Sequence, residues 1–394
     1  MFKDISSVTL AFVYVNILGY VFHSAVSQSL GPAVYGEFMV LYSFMLTVGN
    51  ITVLLGTVSI KTIIENYQSR FNFLSSLRLT GLMIGAVFAL TVCALSSYLR
   101  EFLHVTEYYY FFIVALAWLG MSLVAVERSF LQATGKFPLF AFSTAIELTV
   151  RLIAALVAIY AGLKVGGVLF STAIGAFAVL IILLIINGNF KAKRAQLNIK
   201  KMLTVALYAS PIGFFVYADN IFIKRILDEH AAGIYSAVSI VGKVLVWFIL
   251  TILSVYFPKF VEAKDSASFR KLVFHLLAIV VLSEVMAQIA CLLIGKPLFL
   301  LLFGAKFESA LKFLPLYLLA LLPLLFNIVF ISMAVALERY FCMIYAHLFL
   351  FYAGFLIFPL RSISDYLAYI FCINAFFVLL YFLSFKKELK CISL

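Results

Sequence analysis

Apolar runs of bilayer-spanning length recur along this chain almost from end to end, and polar residues crowd into the short gaps between them. A hydrocarbon core about 30 Å thick is crossed by roughly 20 apolar residues in an α-helix, which satisfies its own backbone hydrogen bonds where water cannot. On that rule the pattern predicts about twelve transmembrane helices, at residues 6–26, 38–60, 79–99, 109–126, 137–160, 165–186, 202–223, 231–257, 272–294, 313–337, 340–360 and 366–385. The seventh is the most interrupted: Pro211 falls inside it, and it closes on Asp219, Asn220, Lys224 and Arg225.

These stretches divide into an N-terminal six-helix lobe (1–190), a basic connector (191–201) and a C-terminal six-helix lobe (202–394). Six crossings return the chain to its starting side, so both lobes have one orientation. The expected fold is an all-α integral membrane protein, two parallel lobes around a central cleft that serves as a substrate path. Sliding the chain by 197 residues, half its length, brings Tyr20 over Tyr217, Leu30 over Leu227 and Gly36 over Gly233. Each lobe then opens with a polar-ended helix, a tight turn and a second span.

Charge orients this scheme. Of the 29 Lys and Arg residues, 19 fall on the side of the termini and alternate loops, 8 on the other side, and Arg151 and Lys243 inside spans. The positive-inside bias therefore predicts cytoplasmic termini. The net charge of +12 reads as orienting loops beside anionic lipid, and no soluble basic face is available for nucleic acid. The first apolar stretch, flanked only by Lys3, is expected to stay as the first helix. Connecting segments leave no room for a soluble catalytic domain, so no catalytic residues are expected. Five scattered cysteines and five separated histidines make no metal-like spacing.

Candidate chemistry sits where polar side chains interrupt the spans. An ionised side chain at mid-bilayer costs about 2.5–3.5 kcal/mol on insertion scales, so Lys243 is expected to face water, an anion or a carboxylate such as Glu284. Arg151 follows Glu147 by four residues, the favourable order for a pair on one helix. Asn16, Tyr20 and His23 line one face of the first helix; Tyr217, Asn220 and Lys224 line the seventh. Ser236 and Ser239 share a face with Lys243. Glu284 and Glu147 are candidates for ion coupling, and Asp219 with Arg225 for a solvated or gating salt bridge near the external surface. Pro211, Pro315 and Pro323 are expected bending points.

At the turns the chain resembles a known family. Leu30-Gly31-Pro32-Ala33-Val34-Tyr35-Gly36-Glu37-Phe38 is similar to the first external turn of bacterial polysaccharide transporters, the O-antigen flippase (Wzx-like) branch of the multidrug/oligosaccharidyl-lipid/polysaccharide superfamily. The likeness continues at Gln132-Ala133-Thr134-Gly135-Lys136, at Asp219 to Leu227 followed by Ala232-Gly233-Ile234-Tyr235-Ser236-Ala237, and at Leu302-Phe303-Gly304-Ala305-Lys306-Phe307. One departure is that Asn220, not a basic residue, follows Asp219. The resemblance implies a MATE-like fold in the bacterial inner membrane. It also implies translocation of an undecaprenyl-pyrophosphate-linked oligosaccharide by alternating access, alongside other polysaccharide-assembly proteins. The residue pattern offers Lys243, Arg151, Asn16, Tyr20, His23, Tyr217, Asn220, Lys224 and Ser239 as candidates to line such a cleft; no cofactor is expected, and H+ and Na+ are the candidate coupling ions. A multidrug or cation antiporter of the same superfamily shares most of these features. A membrane polysaccharide polymerase would need a large external loop or a clustered catalytic site.

Overall fold

The computed structural model describes residues 2–188, 193–197, 211–262, 267–337 and 339–385, and no strand occurs among them. The chain forms two compact units, Met1–Ser210 and Pro211–Leu394.

The first unit begins with α1 (Phe2–Glu65), which bends at Gly31, where φ is +72°. An L side chain resists that conformation, and Pro32 follows without a backbone donor. In a straight helix Phe22 and Phe38 would lie about 24 Å apart, yet their ring centroids are 6.0 Å apart. α1 is therefore a hairpin whose two arms carry the first two predicted spans. Then come α2 (Arg70–Ala94), the short α3 (Ser96–Leu103), α4 (Tyr110–Ala133), α5 (Phe137–Tyr160) and α6 (Lys164–Asn187). Trp118 of α4 anchors the core, donating to the Met45 carbonyl at 3.0 Å and packing on Phe88.

α4 and α2 are among the helices that outrun their predicted ends. α4 continues past residue 126 to Ala133 and α2 starts at Arg70 rather than at 79, so Arg128 and Arg78 are helical residues and not loop residues. A rule that ends a span at its first charges fails here because those charges are paired inside the unit.

In the second unit α7 (Pro211–Ile226), α8 (Glu229–Gly242), α9 (Val244–Glu262) and α10 (Ala267–Phe303) precede a 3-10 turn at Ala305–Phe313. α11 (Leu314–Ala336), α12 (Phe341–Ile357) and α13 (Ile363–Ser384) follow. Asp228 caps α8 by accepting from the Ala231 amide at 2.8 Å, and Ser362 caps α13 through the Asp365 amide at 3.1 Å. The predicted eighth span is two helices meeting at Lys243. Pro315 lies in the first turn of α11, where a missing donor costs nothing, so it is not a bending point; Pro323 lies inside the helix. Pro211 is the first residue of α7. Residues 202–210 of the predicted seventh span lie outside the described residues.

Among the described residues nine helices are long and apolar enough to cross a membrane, counting the bent α1 once. The seventh and eleventh predicted spans fall on the shorter α7 and α12.

Candidate functional site

Arg151 is the most unusual side chain of the first unit. It lies on α5 with 8% of its surface exposed. Its Nη1 donates to the Tyr42 hydroxyl at 3.1 Å, and its guanidinium carbon stands 4.1 Å from the Phe22 ring centroid and 4.7 Å from that of Tyr42. Nε has no partner among the described residues. Both aromatics come from the α1 hairpin, where His23 adds its ring 5.6 Å from Tyr42 and shares a hydrogen bond between its Nδ1 and the Tyr35 hydroxyl, 3.2 Å apart. The turn of α5 carrying Arg151 sits directly on Gly175 of α6, where a Cβ would fall 2.8 Å from the Glu147 carbonyl and 3.1 Å from the Arg151 Cβ. Only glycine allows that approach.

Glu147 is not the partner of Arg151, contrary to the spacing on α5. Its Oε2 lies 2.6 Å from Nη2 of Arg128 on α4, while the Arg151 side chain turns to the aromatic faces of α1. Arg78 is likewise matched, bidentate to Glu127 at 2.6 and 3.1 Å, with Asn187 donating to the same carboxylate at 2.8 Å. Of these three guanidinium groups, Arg151 alone lacks a carboxylate partner among the described residues. Ring quadrupoles offset part of its desolvation, and an anion would supply the remaining charge.

In the second unit the cation is neutralised. Lys243, 3% exposed, donates to Asp219 Oδ1 at 2.8 Å, so its partner is Asp219 rather than Glu284. Asp219 is buried, 5% exposed, and is not the solvated surface acid expected from its position near the end of the span. Its Oδ2 accepts from Tyr235 at 2.9 Å, Tyr317 at 3.0 Å and Ser239 at 3.2 Å, and Oδ1 takes the Asn220 amide at 2.9 Å. Tyr366 donates to the Asp219 carbonyl. Asn220 binds Ser239 at 2.7 Å and receives Ser236 at 3.1 Å, while the Tyr217 ring lies 5.3 Å from the Lys243 ammonium. Both oxygens of this carboxylate are engaged by donors, which fixes it in place.

The remaining candidates are spread out. Asn16 is exposed and Tyr20 half-buried on α1; Lys224 pairs with Glu229 at 3.0 Å, and Arg225 is exposed. Glu284 is buried on α10, with Oε1 accepting from Gln288 at 2.9 Å and Oε2 unpartnered among the described residues. Sequence reasoning missed Phe22, Tyr42, Tyr235, Tyr317 and Tyr366. A signal existed: an offset of 197 residues, half the chain, puts Phe22, His23, Phe38 and Tyr42 over Asp219, Asn220, Tyr235 and Ser239. Both clusters therefore occupy matching positions of the two first hairpins.

Three structural relatives share this architecture. An inward-facing multidrug resistance MATE family transporter of the MOP superfamily matches with a TM-score of 0.79 at 13% identity, over 98% of this chain and 100% of its own. The Vibrio cholerae MATE transporter VcmN in the bent form matches at 0.62 and 17%, over 99% and 97%. A MOP superfamily transporter from Pyrococcus furiosus, described as having a binding pocket of reverse polarity, matches at 0.65 and 13%, over 99% and 96%. These identities establish the fold: a multi-pass membrane protein built as MATE transporters are. No curated protein matches the chain. The family model described as polysaccharide biosynthesis protein matches residues 1–264 of the 394, and the chain belongs to that family.

Proposed function

We propose that this chain moves an undecaprenyl-pyrophosphate-linked oligosaccharide, an O-antigen or similar surface-glycan unit, from the cytoplasmic to the periplasmic leaflet of a bacterial inner membrane. Its two lobes would rock to expose a path first inward and then outward, with both termini cytoplasmic as the Lys and Arg asymmetry indicates. The observation that carries the reading is Arg151, a buried guanidinium with no carboxylate among the described residues, in a chain of the polysaccharide biosynthesis family. A diphosphate is the anion for which a planar guanidinium is suited, since paired N–H groups match paired oxygens. The tyrosine and phenylalanine faces around it exclude water and strengthen that attraction. Asn16, Tyr20 and His23 extend a polar stripe along the same hairpin.

Coupling belongs in the second unit on this reading. Glu284, with one carboxylate oxygen unpartnered, is the group that would take up H+ or Na+. Replacing it by Gln is expected to flatten the pH or Na+ dependence of transport. An unchanged dependence would remove it from that role.

The decisive experiment uses a strain lacking the gene. Lipid-linked units should accumulate on the cytoplasmic face, and the intact gene but not Arg151→Gln should clear them. Unpolymerised units on the periplasmic face would indicate a polymerase instead. Normal surface glycan with altered dye resistance would indicate drug export.

A further inference from the structure

Within the first unit, between α1, α4 and α5, lies a cavity of about 350 Å³ lined by Thr52, Thr57, Arg128, Ser129, Gln132 and Glu147, with Met121 and Phe140 supplying apolar wall. That volume is at the small end of ligand pockets. The only charged groups among its described lining residues, Arg128 and Glu147, neutralise each other across 2.6 Å. What remains free is a mixture of donors and acceptors. Arg128 donates to Ser143 through Nε at 3.0 Å and pairs with Glu147 through Nη2 at 2.6 Å, and that Nη2 has no hydrogen-bond partner of good geometry among the described residues. Of Gln132, one turn along α4, only the backbone is engaged among the described residues, its carbonyl accepting from Gly135 at 3.1 Å, so its side-chain amide is available to the cavity. Thr52, Thr57 and Ser129 donate to backbone carbonyls, so each hydroxyl oxygen in the lining keeps lone pairs to accept with.

We infer that this cavity binds the sugar of the cargo, a neutral polyhydroxylated ring, in a subsite distinct from the Arg151 anion site. The inference rests on the flippase reading and adds which part of the substrate goes where. Alternating hydroxyls on a pyranose need donors and acceptors side by side, and its C–H face needs an apolar wall such as Phe140. A phosphate would find the Glu147 carboxylate opposing it. Four residues further along α5, about 6 Å, Arg151 offers the complementary environment: a cation with no carboxylate. One face of α5 would thus present a neutral sugar station and a cationic phosphate station in succession.

The experiment uses the full chain in lipid nanodiscs with two probes measured by calorimetry. One is the host's repeat-unit oligosaccharide, released from its lipid by mild acid; the other is inorganic pyrophosphate. Gln132→Leu removes a side chain that holds nothing in place, so folding should survive, and Thr57→Val provides a second, near-isosteric variant. Each is expected to weaken oligosaccharide binding by about five- to tenfold, the worth of one neutral hydrogen bond, while leaving pyrophosphate binding unchanged. Arg151→Gln should do the reverse. The assignment is overturned if wild-type protein binds no free oligosaccharide, if both cavity variants bind it normally, or if they weaken both probes equally. Any of these could occur with lipid-linked units still accumulating in the deletion strain, so the subsite can fail while the flippase reading stands.

Discussion

The first hairpins of the two units place their clusters in the same register and fill them with opposite chemistry. In the first unit, Phe22, His23, Phe38 and Tyr42 form an aromatic nest that receives a foreign cation, Arg151, from α5. In the second, Asp219, Asn220, Tyr235 and Ser239 form a hydrogen-bonded cage whose cation, Lys243, follows directly on the hairpin's own second arm and is matched by the carboxylate beside it. One cluster has charge to offer, and the other is closed on itself. On the function proposed above, places in matching register serve different ends, because a balanced cluster holds helices together whereas an unbalanced one would attract a ligand.

The sharpest way to break this contrast is to remove each cation. Deleting one partner of a buried ion pair costs about 3–5 kcal/mol, because the other charge is left in a medium that cannot solvate it. Lys243→Ala should therefore lower the thermal unfolding temperature strongly. Adding Asp219→Asn should recover part of the loss, since neighbouring effects on one pair are not additive. If Lys243→Ala leaves stability untouched and abolishes transport, the second cluster is functional in the manner assigned to the first.

Arg151→Gln should act the other way. No carboxylate is orphaned by it, so the unfolding temperature should change little. Charge-assisted hydrogen bonds contribute about 1.5–3 kcal/mol, so transport of lipid-linked units should fall by roughly ten- to hundredfold, with Arg151→Lys intermediate because an ammonium cannot bind a diphosphate in a bidentate fork. Normal transport by Arg151→Gln would erase the distinction between the clusters.

The spans were legible in the sequence because hydrocarbon imposes one requirement on every residue of a crossing, and a local count detects it. The turn at Leu30 to Gly36 was legible too, since Gly31 and Pro32 restrict the backbone by themselves. Pairings were not. Asp219 and Lys243 are 24 residues apart and Arg78 and Glu127 are 49 apart, and which acid meets which base depends on how helices pack. Local spacing even misled: Glu147 and Arg151 satisfy the one-turn rule, yet Arg128 reaches Glu147 from α4 and leaves Arg151 to the rings of α1. A hydropathy count puts Arg78 and Arg128 in loops for a related reason, because their neutralisation by distant carboxylates is invisible to it.

The smallest expected effect refines the contrast most. Tyr42→Phe keeps the ring that faces the Arg151 guanidinium and removes only the hydroxyl that accepts from its Nη1 at 3.1 Å. One such bond contributes about 1 kcal/mol, so transport should fall by roughly fivefold through looser positioning of the cation, with stability nearly unchanged. Its counterpart by register, Ser239→Ala, removes a donor to Asp219 and a partner of Asn220, and should instead lower the unfolding temperature with transport per folded molecule preserved. A transport defect in Tyr42→Phe without a stability defect, set against the reverse in Ser239→Ala, would place ligand duty in the first hairpin and structural duty in the second. Equal behaviour of the two variants would mean that register, and not local charge balance, determines what each cluster does.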